Sequence, residues 1–215
     1  MRLYHLLKTN FHITKQELNT FIKTHNVLIN NHKANLSDII YDNDIVTVDN
    51  KIIENIPKVI YLYYKPIGIT SVISNKDDSY IKHINIKERV FPAGRLDKMS
   101  EGLLVLTNDH KLLNDITNDK TIYDKEYIVK VKNIITDKFI IDMQKSHLLD
   151  NKYTKEAKVK KIDNYTFSII LYEGMYHQIR RMVKMNNNYV INLKRIRIGN
   201  FKLDGLNPKD IKKMD

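Results

Sequence analysis

The segment Gly94-Arg95-Leu96-Asp97-Lys98 carries the most informative chemistry of this chain. It sits on an irregular loop, Phe91–Asp97, just before the apolar run Leu103-Leu104-Val105-Leu106, which reads as a buried strand. A rigid scaffold that presents a loop side chain gives Asp97 a good address for catalysis. A plain turn aspartate fits the same local pattern, and at this level both readings stand. No second carboxylate stands at a motif-like spacing, and Glu101 fits a solvated position equally well, so a two-carboxylate glycosidase has weak support. The second segment is Gly174-Met175-Tyr176-His177-Gln178-Ile179-Arg180-Arg181-Met182. Its glycine, just ahead of a basic helix start, would let a nucleic-acid backbone come close. Ile179, Met182 and Val183 recur at helical spacing as a core stripe, which leaves Arg180, Arg181 and Lys184 to face ligand or acid. His177 reads as a hydrogen-bonding residue more than as a general base.

Composition narrows the chemistry. The 215 residues include no cysteine, which excludes a disulfide framework, a thiol nucleophile and cysteine-ligated metal sites. The eight histidines are scattered without metal-ligand spacing, so neither a metal nor a cofactor is expected. A net charge of +11 calls for a polyanion, nucleic acid first. Its placement says more than its size. Residues 1–56 are neutral overall but polarised, with bases such as Lys15 and Lys23 early and acids such as Asp42 and Glu54 late. The whole excess therefore belongs to 57–215. Between Glu173 and Asp204 there is no acid and there are seven bases, among them Arg180, Arg181, Lys184, Arg195 and Arg197. Arginine is the rare base here, seven in all, and its planar fork pairs bidentately with phosphate or carboxylate as lysine does not. The N-terminus is broken by His5 and Lys8 before an apolar signal core forms, and no apolar run reaches membrane-spanning length. A cytoplasmic, monomeric protein without a membrane partner is expected.

The elements that must position these residues follow from pattern. Thr14-Lys15-Gln16-Glu17 is a capping box opening a helix through Leu18, Phe21 and Ile22. Val27–Ile29 and Ile45–Val48 read as strands, with turns at Asn30-Asn31-His32 and Asp42-Asn43-Asp44. A connection near Asn50–Lys58 closes this small module, giving domains 1–56 and 57–215. Strands are then expected at Val59–Tyr64, Leu103–Leu106, Glu126–Val131, Ala157–Ile162, Thr166–Leu171 and within Val190–Leu203. Helices are expected after Asn108 or Asp109, at Thr136–Lys145 and at His177–Asn186. With no regular βαβ period, the fold class is α+β with a largely antiparallel sheet.

These residues resemble the pseudouridine synthases, and the closest branch is the bacterial ribosomal-RNA one (RsuA/RluF type). The run Gly94–Asp109 is similar to the family's signature loop, Lys65-Pro66-Ile67-Gly68 to its first motif, Lys125-Glu126-Tyr127 to its tyrosine-bearing strand and Gly174–Met182 to its arginine helix. The first segment resembles the ribosomal S-four-type RNA-binding domain. Thr14-Lys15 stands there where Ser-Arg is usual, and His25-Asn26 where a glycine is common. His110 and His177 replace a typical glycine and arginine.

The resemblance implies isomerisation of a uridine to pseudouridine in RNA, with no cofactor and no metal. It places Asp97 as the catalytic carboxylate and Tyr127 against the extracted uracil. Arg180 would pair with Asp97 and keep it ionised. The target must leave its stack in a structured stem-loop, and Arg95 would hold the flipped nucleotide or fill the vacated stack. Arg181, Lys184, Arg195 and Arg197 would neutralise phosphates, with Lys65, Gln178, Lys15 and Lys23 also on the RNA side. The stretch Leu193–Leu203 leans the substrate towards 23S ribosomal RNA. A 16S or tRNA target, and a non-catalytic ribosome-associated RNA-binding protein, are the alternatives.

Overall fold

Residues 2–41, 43–53, 57–118 and 123–214 are described by a computed structural model of the chain. They divide into two compact units, Met1–Lys58 and Val59–Asp215. The expected turn at 42–44 and connection at 50–58 fall partly outside the described residues, as do Asp42 and Glu54.

The first unit opens with α1 (Leu3–Phe11), which the sequence reading did not anticipate. Its signal is modest: Leu3, Leu6 and Leu7 share one buried face, and Arg2 gives it no side-chain cap. Helix α2 (Lys15–Thr24) begins where the capping box requires. The Thr14 hydroxyl accepts from the Glu17 amide, and the Glu17 carboxylate accepts from the Thr14 amide at 2.6 Å. Strands β1 (Val27–Ile29), β2 (His32–Lys33), β3 (Val46–Val48) and β4 (Lys51–Ile52) make a small antiparallel sheet in the order β2-β1-β3-β4. Both hairpins turn through residues at positive φ, Asn30-Asn31 and Asp49-Asn50, the geometry that two-residue turns demand and that Asn and Asp tolerate.

The second unit is built on one sheet. Its strands are β5 (Ile60–Lys65), β6 (Phe91–Ala93), β7 (Glu101–Thr107), β8 (Lys125–Val131), β11 (Lys158–Lys161), β12 (Thr166–Leu171), β13 (Val190–Ile198), β14 (Phe201–Lys202) and β15 (Ile211–Lys213). A separate hairpin, β9 (Leu148–Leu149) and β10 (Lys152–Tyr153), follows α4 (Asp137–Gln144). The main order is β11-β12-β8-β13-β7-β5-β15, with β14 on β13 and β6 on β7. Among the described residues only β13 and β7 pair in parallel, so the α+β class with a mainly antiparallel sheet is what the chain adopts.

Helix α3 (His110–Thr117) is capped by Asp109, and α4 by Thr136, as their sequences suggest. Helix α5 (Gln178–Met185) buries Ile179, Met182 and Val183 with Val129, Phe167 and Ile169 of the sheet. On the β5–β7 side, Leu62, Leu103, Val105 and Ile116 form a second cluster. Burial of these aliphatic side chains stabilises the sheet by about 1.5–3 kcal/mol each. Strand β8 alternates as expected, with Tyr127, Val129 and Val131 buried.

Candidate active site

The centre of the site is a row of residues running across four strands. Tyr127 on β8 stands opposite Arg195 on β13, Arg195 opposite Gly102 on β7, and Gly102 opposite Lys65 on β5. Residues in register share a face of the sheet, so the row gathers groups spread over 130 positions of sequence onto one surface. Gly102 makes the crossing possible. A Cβ there would lie 2.2 Å from the Arg195 carbonyl oxygen, and its φ of +108° is one that only glycine adopts without strain.

The row fixes the loop above it. The Arg195 guanidinium is buried and donates to the carbonyls of Leu103 (2.8 Å), Arg95 (3.2 Å) and Gly94 (3.4 Å). The Ser71 hydroxyl donates to the Leu96 carbonyl at 2.8 Å and accepts from the Leu96 amide at 3.1 Å. The Gly68 amide holds the Lys98 carbonyl at 2.9 Å. Arg180 of α5 donates to the Met99 carbonyl at 2.6 Å and to the Ser100 hydroxyl at 3.3 Å. Asp97 therefore rides on a backbone held from the loop after β5, from β13 and from α5, while its side chain stays about a third exposed. This is how a reacting group is fixed before its substrate arrives.

Asp97, Arg95, Tyr127, Gln178 and Arg195 all line one cleft of about 500 Å³. His177 also borders it, with Nε2 3.7 Å from Asp97 Oδ1. Several expectations change once the side chains are placed. Arg180 is not hydrogen-bonded to Asp97; its Nη2 donates to the Met99 carbonyl and the Ser100 hydroxyl instead. Burial pushes its pKa down, and the Asp97 charge pulls it partly back, so the two groups interact across space. Arg195 is not presented to a phosphate, since it is buried with its donors on the carbonyls of Gly94 and Arg95 in the loop and of Leu103 in β7.

Lys65 is likewise buried, with Nζ on the carbonyls of Pro66 (2.9 Å) and Ile69 (2.7 Å). Burial and then the Arg195 charge bring its pKa down to about 8, against the pull of Asp97 and Glu101. Gln178 is 4% exposed and works locally, accepting from the Met175 amide and donating to Glu173. Arg197 forks onto Asp124 at 2.6 and 2.9 Å and reaches Glu126 at 2.9 Å, which raises its pKa further. Arg181 forks onto Asp150 at 2.7 and 2.8 Å. The acid-free stretch is thus answered by acids from elsewhere in the chain. Lys184 is exposed on α5. Lys15 and Lys23 are exposed on α2 in the other unit.

Three supporting residues escaped the sequence reading. Ser71, Ser100 and Glu173 are buried at the cleft and tie its loops, Glu173 through the Lys155 amide at 2.7 Å and through Gln178. Ser and Glu are ordinary surface residues by type, so nothing short of their burial marks them. Gly102 was in plain view within the quoted motif, but its partner lies 93 positions away, and only the register reveals why it must be glycine.

Comparison with known proteins bears on this geometry. Residues 59–185 match the family described as RNA pseudouridylate synthase. The chain is 37% identical over 199 residues to the dual-specificity RNA pseudouridine synthase RluF of Salmonella typhi, covering 90% of this chain and 68% of that one. It is 32% identical over 182 residues to the ribosomal large subunit pseudouridine synthase B of Bacillus subtilis, covering 80% and 74%. A crystal structure of a pseudouridylate synthase superposes with a TM-score of 0.71 at 26% identity, covering all of this chain and 96% of that one.

Proposed function

The chain belongs to the RNA pseudouridylate synthase family, and from that premise we propose that it isomerises a specific uridine of ribosomal RNA, with Asp97 as the nucleophile. In this reaction the bond between ribose C1′ and uracil N1 breaks, and a bond from C1′ to C5 forms. The proton on C5 is lost and N1 gains one, so nothing is oxidised and no group leaves. What the chemistry needs is a fixed carboxylate beside the sugar and a pocket that turns the base. The observation that carries the reading is Asp97 itself, about a third exposed in the cleft on a backbone tied from β13, α5 and the loop after β5, and facing a space that Tyr127 also lines.

Tyr127 stacks on the extracted uracil, and Arg95, exposed at the rim, takes the flipped nucleotide or its vacated place. Arg180 sets its positive charge near Asp97 and fixes the loop that carries it. The neutral, polarised first unit grips RNA through Lys15 and Lys23, which makes a structured ribosomal RNA a better fit than a free nucleotide. Large-subunit RNA is favoured by the likeness to the Bacillus large-subunit enzyme, and the dual-specificity relative supports a second reading in which a tRNA is also accepted. Such a reaction belongs in the cytoplasm, and one chain supplies the described lining of the cleft.

Pseudouridine mapping, by mass spectrometry of cyanoethylated ribosomal RNA incubated with and without the protein, tests the activity. The Asp97→Asn variant should abolish the mass shift while leaving RNA affinity within about twofold. Turnover near wild type in that variant removes Asp97 from the nucleophile role. Absence of any pseudouridine with the wild-type protein supports a non-catalytic RNA-binding protein instead.

A further inference from the structure

Beside Asp97, the chain from Glu173 to Gln178 makes an unusual turn. His177 is held at φ +49°, a left-handed conformation uncommon for a residue with a side chain. The Glu173–Gln178 bond and the Gln178–Met175 bond pin the turn from inside. Arg181 donates to the Tyr176 carbonyl at 3.3 Å. The outcome is a plate of two aromatic rings. Tyr176 stacks on His177 with centroids 4.0 Å apart and planes 13° apart. The imidazole edge points at Asp97, while Tyr176 is 71% exposed and borders the same cleft.

A singly exposed tyrosine is ordinary and proves nothing. What sets Tyr176 apart is its setting. One face is braced by a ring whose conformation is fixed at some cost, and the rest opens to solvent at the mouth of the cleft. Gly174, two residues earlier, has nothing within 4 Å of where a side chain would start. Arg95 stands exposed on the same cleft, supplying positive charge for a phosphate.

Accepting the reading of the cleft as a uridine site, we propose that the Tyr176–His177 pair is a stacking platform for the base of the nucleotide adjacent to the target uridine. A base on the outer face of Tyr176 would be separated by the tyrosine ring from the imidazole, the ring that reaches Asp97. That is the place of a neighbour in an unstacked single strand, when the uridine itself occupies the pocket. Stacking on an aromatic side chain suits any base, so the platform contributes affinity and geometry more than sequence choice.

The test uses the full chain and a fluorescently tethered oligouridylate containing one 2-aminopurine, whose emission is quenched by stacking. Wild-type protein should quench it, and Tyr176→Trp should do so too. Tyr176→Leu should abolish the quench and weaken binding by roughly five- to a hundredfold, the range for loss of one base–aromatic stack. Tyr176 is exposed, so that variant does not threaten the fold. Equal quench and affinity in wild type and Tyr176→Leu overturn the platform, as does a wild-type protein that binds the oligomer without quenching it. Asp97→Asn should keep the quench. An intact quench, together with no pseudouridine in ribosomal RNA incubated with the wild-type protein, would leave the platform standing and remove the enzymatic reading.

Discussion

Arg195 shows how far a residue's type underdetermines its work. An arginine in an acid-free stretch suggests a phosphate ligand, yet its buried fork serves two loop carbonyls and one of β7. The two roles give different measurements. Arg195→Lys replaces the planar fork with a point charge and leaves at least one buried carbonyl without its donor, a loss of about 1–3 kcal/mol. That energy falls on the Gly94–Asp97 loop, so kcat for pseudouridine formation should drop at least tenfold. The salt slope of RNA binding should stay unchanged, because no phosphate contact is lost. A slope that falls by about one unit would restore the phosphate role. Lys65 makes the same point, since its ammonium is fully buried and bonded to the carbonyls of Pro66 and Ile69 rather than presented to RNA.

At the scale of elements, the parallel meeting of β7 and β13 is what assembles the site, and Gly102 is its weak point. Gly102→Ala sets a methyl against the Arg195 carbonyl and forces a residue with a side chain into positive φ. Strain and overpacking together should cost on the order of 3–5 kcal/mol. For a chain of this size that lowers Tm by roughly 6–20 °C, readable by thermal denaturation, with activity lost alongside. A Tm within 2 °C of wild type would mean that the two strands separate freely.

The sheet edge has its own clasp. Glu88 accepts from Lys213 of β15 at 3.0 Å and from the Tyr61 hydroxyl of β5 at 2.8 Å, which hold its pKa down to about 2. A carboxyl depressed in the folded state contributes stability that is complete above its unfolded value near 4.5. That contribution drains away as pH falls towards 2. Glu88→Gln should therefore lose less Tm than wild type between pH 4.5 and 2, and parallel Tm curves would show that the clasp contributes nothing.

For the molecule as a whole, the charge of +11 is real but unevenly available. Arg197 and Arg181 are matched by Asp124, Glu126 and Asp150, whereas Arg95, Lys184, Lys15 and Lys23 remain exposed. Each phosphate neutralised adds about 0.7–0.9 to the slope of log affinity against log salt. Four such contacts predict a slope near −3, measurable by fluorescence anisotropy between 50 and 300 mM salt. A slope shallower than about −1 would mean that RNA is held without phosphate contacts.

The sequence by itself determined what is local. The capping box of α2, the alternation of β8 and the core stripe of α5 depend on neighbours within one or two turns and stand where their patterns put them, while of the two candidates before α3 it is Asp109 that caps the helix. The loop bearing Asp97 was legible for the same reason in its second half, whereas Phe91–Ala93, expected as part of that loop, pairs with β7 as strand β6. Helix α1 was not, having a faint pattern and no capping side chain. Tertiary structure alone decided which arginine faces what, because ion pairs such as Arg197–Glu126 join residues 71 positions apart, and charge acts over ångströms rather than along the chain. It also set the row Tyr127–Arg195–Gly102–Lys65, since strand register is chosen by burial on the whole sheet and a shift of one residue would turn every member of that row away.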